Sequence, residues 1–243
     1  MCTVSFIPLK EKVFITSNRD EKAWRLPAQA PKQKYLSNCE MIFPTDSDAG
    51  GSWISLCENG NAGVLLNGAY SKHERKENYR KSRGLIFLEI MDNKRPLHHF
   101  VKKPLEGIEA FTLIIWQEKS LYECRHDADG KKYVKNLPAY RPYIWSSATL
   151  YDEEVRKRRE QWFLKWLNNH PTPSQQDILN FHRFAGDGDK KNDLFMNRDG
   201  KVFTVSITSI RLDGKKSAMY YTDLIKPKSV EHHLHFSHSL IAA

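Results

Sequence analysis

A cysteine stands at position 2, and sixteen residues later the chain reads Asn18-Arg19-Asp20-Glu21. Cysteine is small enough for methionine aminopeptidase to trim Met1. Cys2 would then carry both a thiol nucleophile and a free α-amine. That amine titrates near pH ~7.7–8.0, so it can take the thiol's proton at neutral pH. The plainer reading makes Cys2 only the first residue of a strand. A retained Met1 would block the amine and favour a role other than catalysis.

The elements around these residues decide whether they can meet. Cys2 to Ile7 is β-prone, Lys10-Glu11-Lys12 makes a turn, and Val13 to Ser17 reads as a second strand ending at the tetrapeptide. Such a hairpin carries positions 18–21 back towards the chain start. Residues 22–50 hold Pro27, Pro31 and Pro44 with little periodicity, which predicts a long loop able to shape a site. Ser52–Cys57 and Ala62–Asn67 read as strands joined at Asn59-Gly60, a strong hairpin signal.

Further along, a helix is expected over Arg83–Met91. Strands follow at Phe111–Trp116, Leu121–Arg125 and Lys132–Lys135. A second helix from about Tyr151 to Asn168 buries a stripe of Val155, Trp162, Phe163, Trp166 and Leu167. A third opens with Thr172 as N-cap, Pro173 in the first turn and Gln175 completing a capping box. Val202–Ser209 and Ser217–Tyr221 are expected as terminal strands around Asp213-Gly214. Strand hairpins with inserted helices suit stacked antiparallel sheets covered by helices, in one domain over 1–243 with a flexible tail from about 228.

Composition narrows the function classes. The 243 residues are 40% apolar and 28% charged, enough for a substantial core. No run approaches the ~18 apolar residues that cross a bilayer, and no secretory signal pattern is present. Four scattered cysteines (Cys2, Cys39, Cys57, Cys124) without a CxxC pair suit a reducing cytoplasm and argue against a structural zinc site. The net charge of +9 is spread along the chain, with local runs at 72–83 and 156–159 and no nucleic-acid motif. A basic surface that attracts anionic small molecules accounts for it without a nucleic-acid partner.

Met-Cys-Thr-Val at the start, Asn18-Arg19-Asp20-Glu21, Gly50-Gly51-Ser52-Trp53, the strand ending in Asn67, Ser82-Arg83-Gly84 and Trp145-Ser146-Ser147-Ala148 together resemble the NRDE family. That family is named for the tetrapeptide and includes the transport and Golgi organisation proteins. The resemblance implies an α+β N-terminal-nucleophile hydrolase architecture. This is a four-layer αββα sandwich of two stacked, mainly antiparallel sheets flanked by helices, akin to bile-salt hydrolases and penicillin V acylases.

The same resemblance implies roles for particular residues. Cys2 would attack an amide or thioester carbonyl, and Arg19 would favour its thiolate or else form a structural ion pair. The bile-salt hydrolases have their arginine before the asparagine, whereas Arg19 follows Asn18. Asp20, eighteen residues after Cys2, is close to the acylases' spacing and would orient the α-amine or sit in a surface turn. Asn18 fits a turn at a strand end equally well. Asn67 would donate to the tetrahedral oxyanion or hold a turn. The acylases' second asparagine is replaced near Ser147, whose hydroxyl could supply one donor. Arg156 would reach the site from the second helix or lie on a solvated face.

Two functions follow. One is a cytoplasmic amidase or acyl-transfer enzyme acting through a Cys2 acyl-enzyme, which needs no cofactor. The other is a carrier for haem or another hydrophobic anion in the same cleft, with Cys2 able to act as a thiolate ligand. The run His232-His233-Leu234-His235-Phe236-Ser237-His238 is expected to be a partly ordered tail or a loose metal cluster. His126 and His182 have no partner at a recognisable spacing.

Overall fold

The computed structural model describes residues 3–214 and 216–235, so Cys2 lies outside the described residues. The first hairpin is β1 (Thr3–Pro8) and β2 (Val13–Lys22), with Thr3 opposite Asn18. Next come β3 (Gln29–Tyr35), β4 (Glu40–Thr45), β5 (Ile54–Cys57) and β6 (Ala62–Asn67), then α1 (Arg83–Met91) and α2 (Pro96–Lys102). The strands β7 (Phe111–Gln117), β8 (Ser120–His126), β9 (Lys132–Leu137) and β10 (Tyr143–Ser146) lead to α3 (Glu153–Asn169) and α4 (Gln175–Phe184). The described chain closes with β11 (Asn197–Arg198), β12 (Val202–Asp213), β13 (Lys216–Asp223) and β14 (Lys228–His235).

These strands form two antiparallel sheets. One runs β10-β1-β2-β12-β13-β14, with β11 beside β12; the other runs β3 to β9 in chain order. Three apolar clusters fill the spaces between four layers. Val4, Phe6 and Ile15 of the first sheet meet Ile54, Val64 and Ile114 of the second in the central core. Leu65 and Leu113 point the other way, against Phe87 and Ile90 of α1 and Phe100 of α2. Ile7 and Phe14 pack on Phe163 of α3 and on Ile178 and Phe181 of α4. Residues alternate across each strand, so both faces of both sheets are covered and the order is helices, sheet, sheet, helices. The expected αββα sandwich is the observed architecture. Among the described residues, no helix is long and apolar enough to cross a membrane.

Four expectations change. β2 does not stop at Ser17 but continues to Lys22, because β12 pairs alongside it from Leu212↔Val13 to Val202↔Lys22. The tetrapeptide therefore lies within a central strand. The 22–50 segment is not one loop, since β3 and β4 lie inside it. β3 is an edge strand, and its register shifts between Gln29 and Lys32 around Pro31, so the missing N–H interrupts little. Pro44 lies beyond the part of β4 that pairs with β5, at Met41 and Ile42. The cap of α4 is Ser174, with Asp177 closing the capping box, rather than Thr172 with Gln175. Lys228–His235, expected as a flexible tail, forms β14 against β13. The remainder of the His-rich run lies outside the described residues.

Candidate functional site

A cleft of about 560 Å³ opens beside the tetrapeptide. Three separate sequence segments meet on its wall: Arg19 and Glu21 of β2, Gly51-Ser52-Trp53 before β5, and Ser82-Arg83-Gly84 at the start of α1. Asn67, the last residue of β6, joins them. Glycine is required where two of these segments cross. A Cβ on Gly51 would lie 2.4 Å from the Gly84 backbone carbon, and one on Gly84 would lie 3.0 Å from the Ser52 carbonyl oxygen. The Ser52 N–H donates to the Gly84 carbonyl at 3.2 Å across this crossing. Ser82 caps α1 by accepting from the Leu85 N–H.

Arg19 is buried, and its guanidinium lies 4.7 Å from the Trp53 ring centre. Its Nη2 donates to Asp46 Oδ2 at 2.8 Å and to Glu21 Oε2 at 3.2 Å. Arg25 donates to the same Asp46 at 2.6 Å. Burial alone would raise the Asp46 carboxyl, but the Ala49 N–H and the two arginines outweigh it and hold the group below its usual range. Arg19 is thus in the structural ion pair that was one reading of the sequence, and it also lines the cleft.

Asn18 and Asp20 point to the opposite side of β2, towards the α3–α4 layer. The Asn18 amide donates to the carbonyls of His182 and Leu194, at 3.0 and 2.7 Å, which uses both its protons. Its Oδ1 must then accept from His182 Nδ1, 2.6 Å away. That fixes Nε2 as the acceptor of the Ser5 hydroxyl at 2.7 Å. His182 is a neutral, fully buried latch between β1, β2 and α4. Burial, with a smaller push from Arg159, lowers its pKa to about 3. Asn18 is consequently structural, and His182 does have partners, 164 and 177 residues away in the chain.

Asp20 is buried and accepts from the Tyr151 hydroxyl and the Thr204 hydroxyl, each at 2.6 Å. It is therefore not in a surface turn. Above the Tyr151 ring sits Arg159, fully buried, with its guanidinium 3.6 Å from the ring centre. Arg159 donates to the carbonyls of Asn192 and Asp193 and to the Thr3 hydroxyl. It belongs to the 156–159 basic run read from sequence as surface, yet it ties α3 to the described start of β1. Nothing in the spacing of Tyr151, Arg159 or Thr204 would have marked them.

The remaining expected residues separate. Among the described residues no hydrogen bond engages the Asn67 side chain, which is half-buried on the cleft wall. Ser147 does not line the cleft. Its hydroxyl donates to the Asn67 carbonyl at 2.9 Å, so its single proton is committed to holding the end of β6. Arg156 is also away from the wall, bonding the Tyr70 and Asp152 carbonyls at 3.1 and 3.3 Å. Cys39, Cys57 and Cys124 are buried free thiols whose pKa values burial raises, Cys124 to about 12. None of these three has the character of an activated nucleophile. Among the described residues, no group of three or more His, Cys, Asp or Glu could hold a metal ion.

Known structures share this architecture. The chain is similar to a penicillin V acylase from Agrobacterium tumefaciens (12% identity, TM-score 0.56), over 95% of this chain and 85% of that one. It is also similar to the C2A mutant of the conjugated bile acid hydrolase from Clostridium perfringens (12%, 0.59), over 96% and 92%. An N-acylethanolamine-hydrolyzing acid amidase ortholog from Caenorhabditis elegans matches at 9% identity and TM-score 0.57, over 86% and 92%. At these identities the likeness establishes the hydrolase-like fold alone. No curated protein matches the sequence. The family model for Transport and Golgi organisation 2 matches residues 1–222, and the chain belongs to that family.

Proposed function

We propose that this protein is an acyl-transfer enzyme, cleaving a carboxylic amide or thioester through an acyl-enzyme on Cys2. One observation carries the reading: Thr3 pairs with Asn18, so the chain emerges one residue from Cys2 beside the tetrapeptide whose Arg19 lines a ligand-sized cleft. After loss of Met1, the α-amine takes the thiol proton and the sulfur adds to the carbonyl carbon. The Asn67 amide donates to the oxyanion, replacing hydrogen bonds otherwise made to water. Collapse of the intermediate expels the amine or thiol, which receives the proton from the α-amine. Water then releases the acid and restores the thiol. Asp20, held by Tyr151 and Thr204, orients the amine, while Arg19 supplies positive charge on the cleft side. The reaction calls for no metal or organic cofactor, and the three described free thiols fit a reducing, cytoplasmic setting.

Intact-mass measurement of native-sequence protein treated with a thiol-directed acylating probe tests this. The expected product has lost Met1 and gained one adduct, absent in Cys2→Ala. A retained Met1 with no adduct, together with haem binding, would replace the enzyme by the carrier.

A further inference from the structure

The cleft wall specifies a class of ligand within the enzymatic reading, on which this inference rests. Six cationic side chains and four carboxylates line it. Among the described residues, three of the cations are in carboxylate pairs at the wall: Arg19 and Arg25 with Asp46, and Arg83 with Glu109 at 3.2 Å. Lys81 pairs with Glu89. Arg75 and Lys22 have no carboxylate partner among the described residues. Arg75 comes from the segment between β6 and α1, which also brings Glu77, Asn78 and Tyr79 to the wall.

The charge is concentrated around the start of α1. Arg83 is the first residue of that helix, whose first turn contains no acid. A cation at the positive end of a helix is unfavourable, and a bound anion there is favourable. Burial lowers the Arg83 pKa; Glu109 opposes that shift and the neighbouring charge of Arg75 adds to it. Glu109 thus pairs with the Arg83 guanidinium at the helix N-terminus, while the charge of Arg75 acts on the same guanidinium.

The two hollows that Arg19 lines differ in size and in lining. A second hollow, which shares Arg19, Glu21, Lys22 and Arg25 with the cleft, is lined also by Leu26, Pro27, Phe203, Val205 and Ile225, but measures only about 180 Å³. Drug-sized ligand pockets begin near ~300 Å³. A long acyl chain or a haem macrocycle laid on the charged wall of the larger cleft would leave paired charges desolvated without compensation.

We infer that the cleft takes a compact amide or thioester bearing a carboxylate, recognised by Arg75 and Arg83, and rejects lipid-like acyl chains. Size and charge both act as filters. The carboxylate would pair with Arg75, which has no carboxylate partner among the described residues, beside the Arg83–Glu109 pair.

Binding separates this inference from the catalytic one, because it needs no nucleophile. N-acetylglutamate, octanoate and haemin would each be titrated by calorimetry into Cys2→Ala protein. N-acetylglutamate is expected to bind at least tenfold more tightly than octanoate or haemin. Arg75→Glu should weaken it tenfold or more, and Glu77→Gln should tighten it several-fold; both positions are exposed, so neither exchange threatens folding. Tighter binding of octanoate or haemin, failure of N-acetylglutamate to bind, or indifference to both substitutions would overturn the inference. A bound N-acetylglutamate with no acylation of Cys2 in the native sequence would leave it standing and remove the enzymatic reading.

Discussion

The Arg159 guanidinium lies 3.6 Å above the centre of the Tyr151 ring, and the Tyr151 hydroxyl donates to Asp20 at 2.6 Å. A second arginine, Arg198, approaches the same ring at 5.3 Å. The phenol is thus held by cations at its face while its oxygen engages a carboxylate. Through the Thr3 hydroxyl, the same Arg159 reaches the described start of β1. A buried cation on α3 therefore fixes both the carboxylate and the strand end on which the proposed chemistry depends.

Replacing Arg159 with methionine keeps apolar bulk but leaves the Asn192 and Asp193 carbonyls without their donor. Unsatisfied buried groups cost about 1–3 kcal/mol each. Urea unfolding of Arg159→Met is expected to show a loss of about 2–4 kcal/mol, with Arg159→Lys intermediate. An unchanged urea midpoint would show that the network is not stabilising.

His182 gives the fold a pH dependence. Its pKa is about 3 when folded, against an ordinary value of 6.5, because burial disfavours the imidazolium. Between these values the unfolded chain binds a proton that the folded protein refuses, so stability is complete above about pH 6.5 and declines as pH falls towards 3. The slope from this one group approaches ~1.4 kcal/mol per pH unit. Unfolding free energies measured from pH 7 to 4 should fall at about that rate beyond the carboxylate contribution. His182→Gln should flatten the dependence while lowering stability at pH 7, since its amide cannot reproduce both bonds to Asn18 and Ser5.

Asn67 and Ser147 are expected to differ. Asn67→Ala removes the proposed oxyanion donor and should lower kcat by about 10²–10³ with little change in KM. Ser147→Ala frees the Asn67 carbonyl but leaves its amide in the cleft, so a smaller loss of activity is expected, accompanied by lower stability. Equal losses of kcat in the two variants would count against the amide as donor.

The crossing of Gly51 over Gly84 leaves no space for a methyl group. Gly51→Ala should destabilise the protein by about 1–3 kcal/mol, as overpacked sites do, and should distort the cleft wall. Thermal denaturation measures the first effect, and N-acetylglutamate affinity the second.

How legible all this was depends on sequence distance. The β1–β2 hairpin, β6 and α1 could be read because their signals are local: β-prone runs around a short turn, Asn59-Gly60, and Ser82 at a helix start. The tetrapeptide and the Gly-Gly-Ser-Trp and Ser-Arg-Gly segments could be named, and they do converge on one cleft. β3 and β4 were hidden because Pro31 and Pro44 suggest loop, whereas an edge position, a bulge and a short pairing accommodate them. Arg159 and His182 were illegible for another reason. Their partners lie 156 residues away at Thr3 and 164 at Asn18, so only the packing of α3 and α4 on the first sheet brings them together. A basic run along a helix gives no sign that one of its members faces inward.

The decisive observation is a transient acyl group on Cys2. Native-sequence protein would be mixed with a small activated thioester, quenched over time, digested, and followed by mass spectrometry at the N-terminal peptide. A thioester on Cys2 should form and decay, with turnover abolished both by Cys2→Ala and by inserting a residue before Cys2. Acylation confined to Cys39, Cys57 or Cys124, or none at all, would contradict the proposed mechanism.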